Sequence, residues 1–434
     1  MNHSKTLTVA LVLALAIQLP AQNTRNSSVE LTKTLSGHTG SIESIEFSHD
    51  GATLATSSND RTVRLWRVST GESLAILVGD EKSELLKLNW SNDDRRLALT
   101  YRRKGPSKYF FEVIVWEVTA NQPPVIGNRF KDAYFLEWNA NNRMFLAFDQ
   151  TREDKLWRPD YVLKVWDAVS GQPVNTFSPQ LTDTRPTMTF VADGTRILTA
   201  STDAPAQLWD VSTGKLIDTY TPNTQIPGPN FTSPVDPGVG SNKRFFISGN
   251  VLIYEAVTGQ FVTSIKGGGS ALSFSPDGKS VLTIRYDLPN KSRHRQSYLS
   301  LQKIESGEEL STFQVPEGVW NVEWSPDGST IAIVGLEFNT RLVDAATGRE
   351  KGRLPYGNCW PWQMFGSDNC EPLRFSADGT VLLKEKQPIK LWDMETVTLI
   401  KELKTAKLPA VFSPMGRLLA TRSDDKKSVL LWRF

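Results

Sequence analysis

Apolar and polar residues alternate in short runs along most of the chain, and a turn-forming motif joins the runs in pairs. Residues 272–284 read LSFSPDGKSVLTI, and the same shape recurs at 45–56, 188–200, 322–334, 373–384 and 410–421. In an Asp-Gly pair, glycine accepts a positive φ and the Asp side chain forms a hydrogen bond with its own backbone. Both features suit a tight antiparallel turn. Alternation with a period of two is typical of strands with one buried face. The pattern therefore predicts a repeated β-hairpin.

A third apolar run follows each hairpin and often ends in Trp. A Thr-Gly or Ser-Gly turn and a fourth short run complete the unit, so each unit predicts a sheet of four antiparallel strands. Nine units with a spacing of about 40 to 50 residues result when the chain is aligned on the Trp position. The aligned residues are Trp66, Trp116, Trp166, Trp209, Tyr254, Gln302, Val343, Trp392 and Trp432.

One small sheet buries too little surface to be stable alone, whereas sheets packed face to face around a ring bury both faces. We therefore predict an all-β fold, a single closed β-propeller over residues 29–434. Nine blades are favoured; eight remain possible, because the proline-rich stretch 229–240 makes a poor first strand for the fifth unit. The ninth unit ends at Phe434 after its third strand, and VELTKTL (29–35) is predicted to supply the fourth and close the ring.

The first unit contains Gly37-His38 followed by LATSSNDRTVRLW at 54–66. In these residues the chain resembles the WD-repeat β-propeller family, with degenerate repeats and an exported, bacterial-type character. In that family a His, a strand Ser or Thr, an Asp and a Trp form a structural hydrogen-bond chain within the blade. The resemblance gives this bracing role to His38, Thr56 or Ser58, Asp60 and Trp66. His38, Ser58 and Asp60 are accordingly not expected to be a nucleophile triad.

The N-terminus has the layout of a secretory signal peptide. Lys5 precedes an apolar run of about 13 residues from Leu7 to Leu19, which is short for a membrane span, and Pro20-Ala21 follows. We predict a signal peptide at 1–21, a linker at 22–28, and a periplasmic or extracellular protein with no membrane span after cleavage. An uncleaved membrane anchor is the alternative.

Cys359 and Cys370 are the two cysteines of the chain. A close pair in an exported protein is a disulfide candidate, and a reduced, buried pair is the alternative. Two cysteines without a nearby His are too few for a zinc site.

Charge and motifs give no indication of catalysis. The formal net charge is +2, so no bulk electrostatic attraction to nucleic acid or anionic membrane is expected. The four histidines lack metal-ligand spacing, and nucleophile-elbow, P-loop and dinucleotide motifs are absent from the sequence. We expect no catalytic residue, no metal site and no cofactor.

The longest connections of the predicted blades open on one face of the ring. They lie between second and third strands or between blades, at 100–110, 149–160, 221–238, 285–297 and 355–372. Trp and Arg carry much of the binding energy at protein interfaces, and rigid scaffolds often carry binding loops. The candidate partner-binding residues are Arg102, Arg103, Trp157, Arg158, Arg293, Arg295, Trp360, Trp362 and Phe365.

The sequence thus favours a non-catalytic, exported, monomeric scaffold that binds a protein on its loop-rich face. Two alternatives stay open. A hydrolase or lyase would need Asp, Glu or His side chains converging at the central channel. A carbohydrate-binding module of the cell envelope would present exposed Trp rings for stacking.

Overall fold

The computed structural model describes most of the chain in sixteen segments. These are residues 28–78, 83–105, 109–119, 122–149, 162–179, 187–200, 205–220, 245–248, 252–256, 258–265, 270–287, 296–315, 319–335, 339–355, 373–384 and 388–434. Within these segments the regular structure is β-sheet, apart from one 3₁₀ turn at Ala192–Gly194.

The strands form nine antiparallel sheets, here called blades 1 to 9. The first strand of the chain is β1 (Glu30–Ser36). Blades 1 to 4 contain β2 (Ile42–Phe47), β3 (Thr53–Ser58), β4 (Thr62–Arg67) and β5 (Ser73–Val78); β6 (Ser83–Trp90), β7 (Arg96–Lys104), β8 (Tyr109–Glu117) and β9 (Val125–Lys131); β10 (Ala133–Trp138), β11 (Met144–Asp149), β12 (Val162–Asp167) and β13 (Pro173–Phe177); β14 (Thr187–Val191), β15 (Arg196–Ala200), β16 (Ala206–Asp210) and β17 (Leu216–Tyr220).

Blade 5 has three strands within the described residues, and the predicted strand at 229–240 lies outside them. Blades 5 to 9 contain β18 (Phe245–Ser248), β19 (Leu252–Glu255) and β20 (Phe261–Ser264); β21 (Ser270–Phe274), β22 (Ser280–Asp287), β23 (Gln296–Lys303) and β24 (Glu309–Val315); β25 (Val319–Trp324), β26 (Thr330–Gly335), β27 (Asn339–Asp344) and β28 (Glu350–Pro355); β29 (Leu373–Phe375), β30 (Val381–Lys384), β31 (Ile389–Asp393) and β32 (Thr398–Leu403); β33 (Ala406–Phe412), β34 (Leu418–Ser423) and β35 (Ser428–Arg433).

The N-terminal strand completes blade 9. β1 pairs antiparallel with β35, with Leu31 opposite Trp432 and Leu35 opposite Val429, so the sheet order is β1-β35-β34-β33. This confirms the predicted exchange between the two ends of the folded ring. Eight of the nine residues aligned on the Trp position lie in the third strand of their blades, and Tyr254 lies in β19, the middle of the three described strands of blade 5.

In the described segments the hydrophobic core forms nine clusters, and each lies between two consecutive blades. Leu65 and Leu77 of blade 1, for example, pack with Leu88 and Trp90 of blade 2. The ninth cluster joins Trp66 and other residues of blade 1 to blade 9, and β2 also contacts β33 and β34. Burial of both faces makes a strand such as β3 an almost continuous buried run, whereas the fourth strand β5 is mostly exposed. The architecture is a β-propeller of nine blades.

The recurrent Asp-Gly motif forms the turn between the first two strands of a blade. In blade 6, Ser275 Oγ donates to Asp277 Oδ1 at 2.6 Å, and Gly278 has φ 65°. Blade 2 has Asp94 in the glycine position with φ 57°, and its carboxylate accepts hydrogen bonds from the His49 and Asp50 amides of blade 1. The turn therefore also ties neighbouring blades together.

Candidate interaction surface

The two ends of the ring differ in their connections. Because the strands alternate in direction, the turns between first and second strands and between third and fourth strands share one end, here called the turn face. Connections between second and third strands, and between blades, share the other end, here called the loop face.

Most of the predicted binding loops lie outside the described residues. This applies to the cysteines and to seven of the candidate partner-binding residues: Trp157, Arg158, Arg293, Arg295, Trp360, Trp362 and Phe365, with Cys359 and Cys370. Their roles stay predictions. Arg102 and Arg103 are described.

The prediction of a loop over residues 100–110 was wrong. β7 continues to Lys104 and β8 begins at Tyr109, so both strands project at the loop face as one long hairpin. Arg102 pairs with Phe111, Arg103 with Phe110 and Lys104 with Tyr109. Aromatic residues favour strands, and each basic residue faces an aromatic partner across the ladder, which extends the sheet.

One side of this hairpin faces blade 3. Arg102 donates to Glu84 Oε2 at 2.6 Å, and its guanidinium carbon lies 4.7 Å from the centre of the Tyr109 ring. Phe111 packs edge-on against Tyr134 of blade 3, with ring centres 5.5 Å apart. These contacts hold Arg102 and Tyr109 in a defined arrangement.

The other side faces blade 1 and contains a buried carboxylate between two arginines. Glu112 Oε2 lies 3.2 Å from Arg103 Nη2 and 3.5 Å from Arg129 Nη1. Tyr101 is buried beside them, and this burial raises the pKa of its phenol. Two guanidinium groups share one carboxylate, so the trio keeps a net positive charge.

The end of the hairpin exposes two aromatic rings. Tyr109 is 50% exposed and Phe110 is 38% exposed, on opposite sides of the same strand. Lys104 beside them is exposed. The sequence-based candidates omitted both rings; continued alternation through YFFEVIVW was the signal that could have identified them. We call Arg102, Arg103, Lys104, Tyr109 and Phe110 the hairpin tip.

Blade 1 contains a buried hydrogen-bond chain. Trp66 Nε1 donates to Thr56 Oγ1 at 2.8 Å, and Thr56 Oγ1 lies 2.8 Å from His38 Nε2. His38 Nδ1 lies 2.9 Å from Asp60 Oδ2. The hydroxyl in this chain is therefore that of Thr56, whereas Ser58 Oγ accepts from the Asp60 amide at 3.1 Å.

The protonation states of His38 and Asp60 in this hydrogen-bond chain follow from their surroundings. Burial lowers the pKa of His38, so the neutral ring donates from Nδ1 to Asp60 and accepts from Thr56 at Nε2. Burial opposes ionisation of Asp60, but hydrogen bonds from the Thr62 hydroxyl, the Thr39 amide and His38 outweigh it and lower the pKa of this carboxyl. Every polar group of this hydrogen-bond chain has a partner, which is typical of a structural brace.

The first strands of blades 1 to 3 place acidic and basic side chains alternately in one row. Burial raises the pKa of Glu46 on β2 to about 8, against the effects of the Trp90 amide and Lys87. Burial lowers the pKa of Lys87 on β6, against the attraction of Glu46 and Glu137. Glu137 on β10 accepts from the Thr189 hydroxyl of blade 4 at 2.8 Å. This row links four consecutive blades.

The described segments contain no group of three or more His, Cys, Asp or Glu side chains able to hold a metal ion. In the same segments, no helix is long and apolar enough to cross a membrane.

Comparisons with known proteins match part of the chain. Residues 29–67 match the family model "WD domain, G-beta repeat". Eukaryotic translation initiation factor 3 subunit I of Neosartorya fischeri is 41% identical over 73 residues, which cover 17% of this chain and 21% of that protein. The same subunit of Aspergillus terreus is 26% identical over 185 residues, or 40% of this chain and 51% of that protein. The chain thus spans about a fifth to a half of the length of these relatives.

The relatives contradict the predicted export. They are named as translation initiation factor subunits, and translation initiation takes place inside the cell. An exported, periplasmic or extracellular location is therefore wrong on this comparison, and a bacterial-type, secreted character has no support. Residues 1–21 lie outside the described segments.

The matched range contains the whole brace, from His38 to Trp66, and the strand that closes blade 9. The residues that match the WD-repeat model thus span β1 and the first three strands of blade 1, β2 to β4.

Proposed function

We propose that the chain is a non-catalytic scaffold that binds a protein partner at the loop face through the hairpin tip. The observation that carries this proposal is the projection of two exposed aromatic rings beside three cationic side chains. Aromatic residues and arginine dominate the energy of protein interfaces. Contacts with Glu84 and Glu112 hold the arginines in place, so a partner would not have to order them.

The charges elsewhere support a scaffold rather than an enzyme. Several carboxylates with lowered pKa accept hydrogen bonds within their own turns, as Asp277 does from Ser275 and Asp344 does from Thr347. His38 and Asp60 belong to the brace. The relatives named as subunits of a larger factor also favour an assembly role.

The test compares two double variants as baits in an extract of the source cells. Tyr109→Ala with Phe110→Ala truncates the hairpin tip. Val169→Ala with Met415→Ala is the matched control, because these exposed apolar residues lie in turns of the turn face. Both variants should melt as the wild type does, since neither removes buried side chains.

The wild type and the turn-face variant should retain the same protein partner, and the tip variant should lose it. Equal retention by all three proteins would overturn the proposal. Loss from the turn-face variant alone would move the binding surface to the other end of the ring.

A further inference from the structure

Building on the proposed function, we infer that the partner presents an acidic segment containing aromatic side chains to the hairpin tip. The inference concerns the chemistry of the bound segment, which the binding role alone leaves open. It rests on the charge balance of the tip and on the placement of its rings.

The charge at the tip is locally positive. The ion pairs between described residues join three of the cations here, Arg102, Arg103 and Arg129, to Glu84 and Glu112, and Lys104 is a fourth cation beside them. Within the described segments, Lys104 makes no ion pair and stands exposed at the end of β7. A carboxylate of a partner would neutralise this positive charge at the rim of the interface, where charge complementarity controls the rate of encounter and the register of the bound partner.

The two exposed rings of the hairpin tip favour an aromatic side chain in the bound segment. Tyr109 presents one face under the Arg102 guanidinium, and its exposed half is next to Lys104 across the ladder. Phe110 is exposed on the opposite side of the strand, beside Arg103. An aromatic side chain placed between acidic residues can stack on these rings while its neighbours meet the cations.

The two carboxylates beside the hairpin tip disfavour nucleic acid as the ligand. A phosphate backbone carries regularly spaced negative charges, and Glu84 and Glu112 would lie among them. A protein segment has separated carboxylates that can avoid these two positions. The formal charge of +2 for the whole chain also supplies little general attraction for polyanions.

The experiment measures the anisotropy of a fluorescein-labelled peptide of alternating Glu and Trp. The comparison ligands are a peptide of alternating Lys and Trp, a peptide of alternating Glu and Ser, and poly(U) RNA. Lys104→Glu tests the tip, and Lys215→Glu is the matched control because Lys215 is an exposed lysine in a turn of the turn face.

The Glu-Trp peptide should bind the wild type more tightly than the three other ligands do, and added salt should weaken it. Lys104→Glu should weaken binding by about tenfold, whereas Lys215→Glu should leave it unchanged. Equal effects of the two substitutions, preference for Lys-Trp, or stronger binding of poly(U) would overturn the inference.

The same variant separates this inference from the proposed function. If Lys104→Glu keeps the cellular partner while truncation of Tyr109 and Phe110 loses it, the scaffold role stands and the acidic segment is wrong. If neither change affects the partner, the hairpin tip is not the binding surface.

Discussion

Removing the hydroxyl of Thr56 should destabilise the ring, because that oxygen serves two buried partners. Thr56→Val keeps the size and shape of the side chain but deprives Trp66 Nε1 and His38 Nε2 of their hydrogen-bond partner. Thr56 itself is completely buried.

The expected magnitude follows from the number of groups left unpaired. A buried polar group without a partner costs about 1–3 kcal/mol, so two such groups predict a loss of about 2–6 kcal/mol. Thr199 occupies the same place in blade 4 and has one side-chain partner, Trp209 Nε1 at 3.1 Å, so Thr199→Val should cost about 1–3 kcal/mol. Both hydroxyls also lie 3.4 Å from a backbone carbonyl oxygen of the next strand, that of Arg64 or Gln207, so this contact does not distinguish the two variants.

Blade 2 supplies the matched control. Thr100 is equally buried, but its hydroxyl has no hydrogen-bond partner among the described residues. Thr100→Val removes an unpaired polar atom and should be neutral or slightly stabilising. The three substitutions are chemically identical and differ only in the number of partners that each removes.

Urea denaturation followed by Trp fluorescence measures the series, with the slope of the transition checked for each variant. The midpoint should fall most for Thr56→Val, less for Thr199→Val, and not at all for Thr100→Val. Equal midpoints for the three variants would show that the hydrogen-bond chain does not stabilise blade 1.

Three further predictions concern protonation and ring closure. His38 binds a proton near pH 6.5 in the unfolded chain, whereas burial lowers its pKa in the folded chain. Neutral His38 therefore contributes to stability above pH 6.5, and this contribution is lost on acidification. The stability difference between the wild type and His38→Gln should shrink from about pH 7.5 to 5. The pH dependence due to Glu46 has the opposite sign, because its pKa is about 8 in the folded chain. The contribution of protonated Glu46 to stability is full below pH 4.5 and is lost as the pH rises through 8. The wild type should therefore lose stability relative to Glu46→Gln over this range, and a stability difference that does not change with pH would contradict the raised pKa. Deletion of residues 28–36 should expose the edge of β35 and cause aggregation measurable by light scattering, whereas a soluble truncation with an unchanged melting point would refute closure by β1.

The sequence predicted the repeat and the closing strand, and it favoured nine blades while leaving eight open. Each depends on period-two alternation and on turn residues such as Gly278, which are local properties of the chain. The hairpin tip was misread because Arg102, Arg103 and Lys104 suggested a solvated loop by composition. Their alternation with cross-strand aromatic partners, visible in the register, makes them strand residues.

Features that depend on neighbouring blades were beyond sequence reasoning. The row of Glu46, Lys87 and Glu137 forms because the first strands of three separate units lie side by side. The brace hydroxyl was ambiguous for a related reason. Thr56 and Ser58 are close in sequence, and their hydrogen bonds show which of them lies between His38 and Trp66.

The central claim, that a protein partner binds at the hairpin tip, is tested most directly by site-specific photo-cross-linking in the source cells. A benzoylphenylalanine residue in place of Tyr109 places the reactive group in the tip, and the same residue in place of Val169 places it on the turn face. A partner bound at the hairpin tip should give a discrete protein adduct from position 109 and none from position 169. The same adduct from both positions, or an adduct from position 169 alone, would contradict the claim.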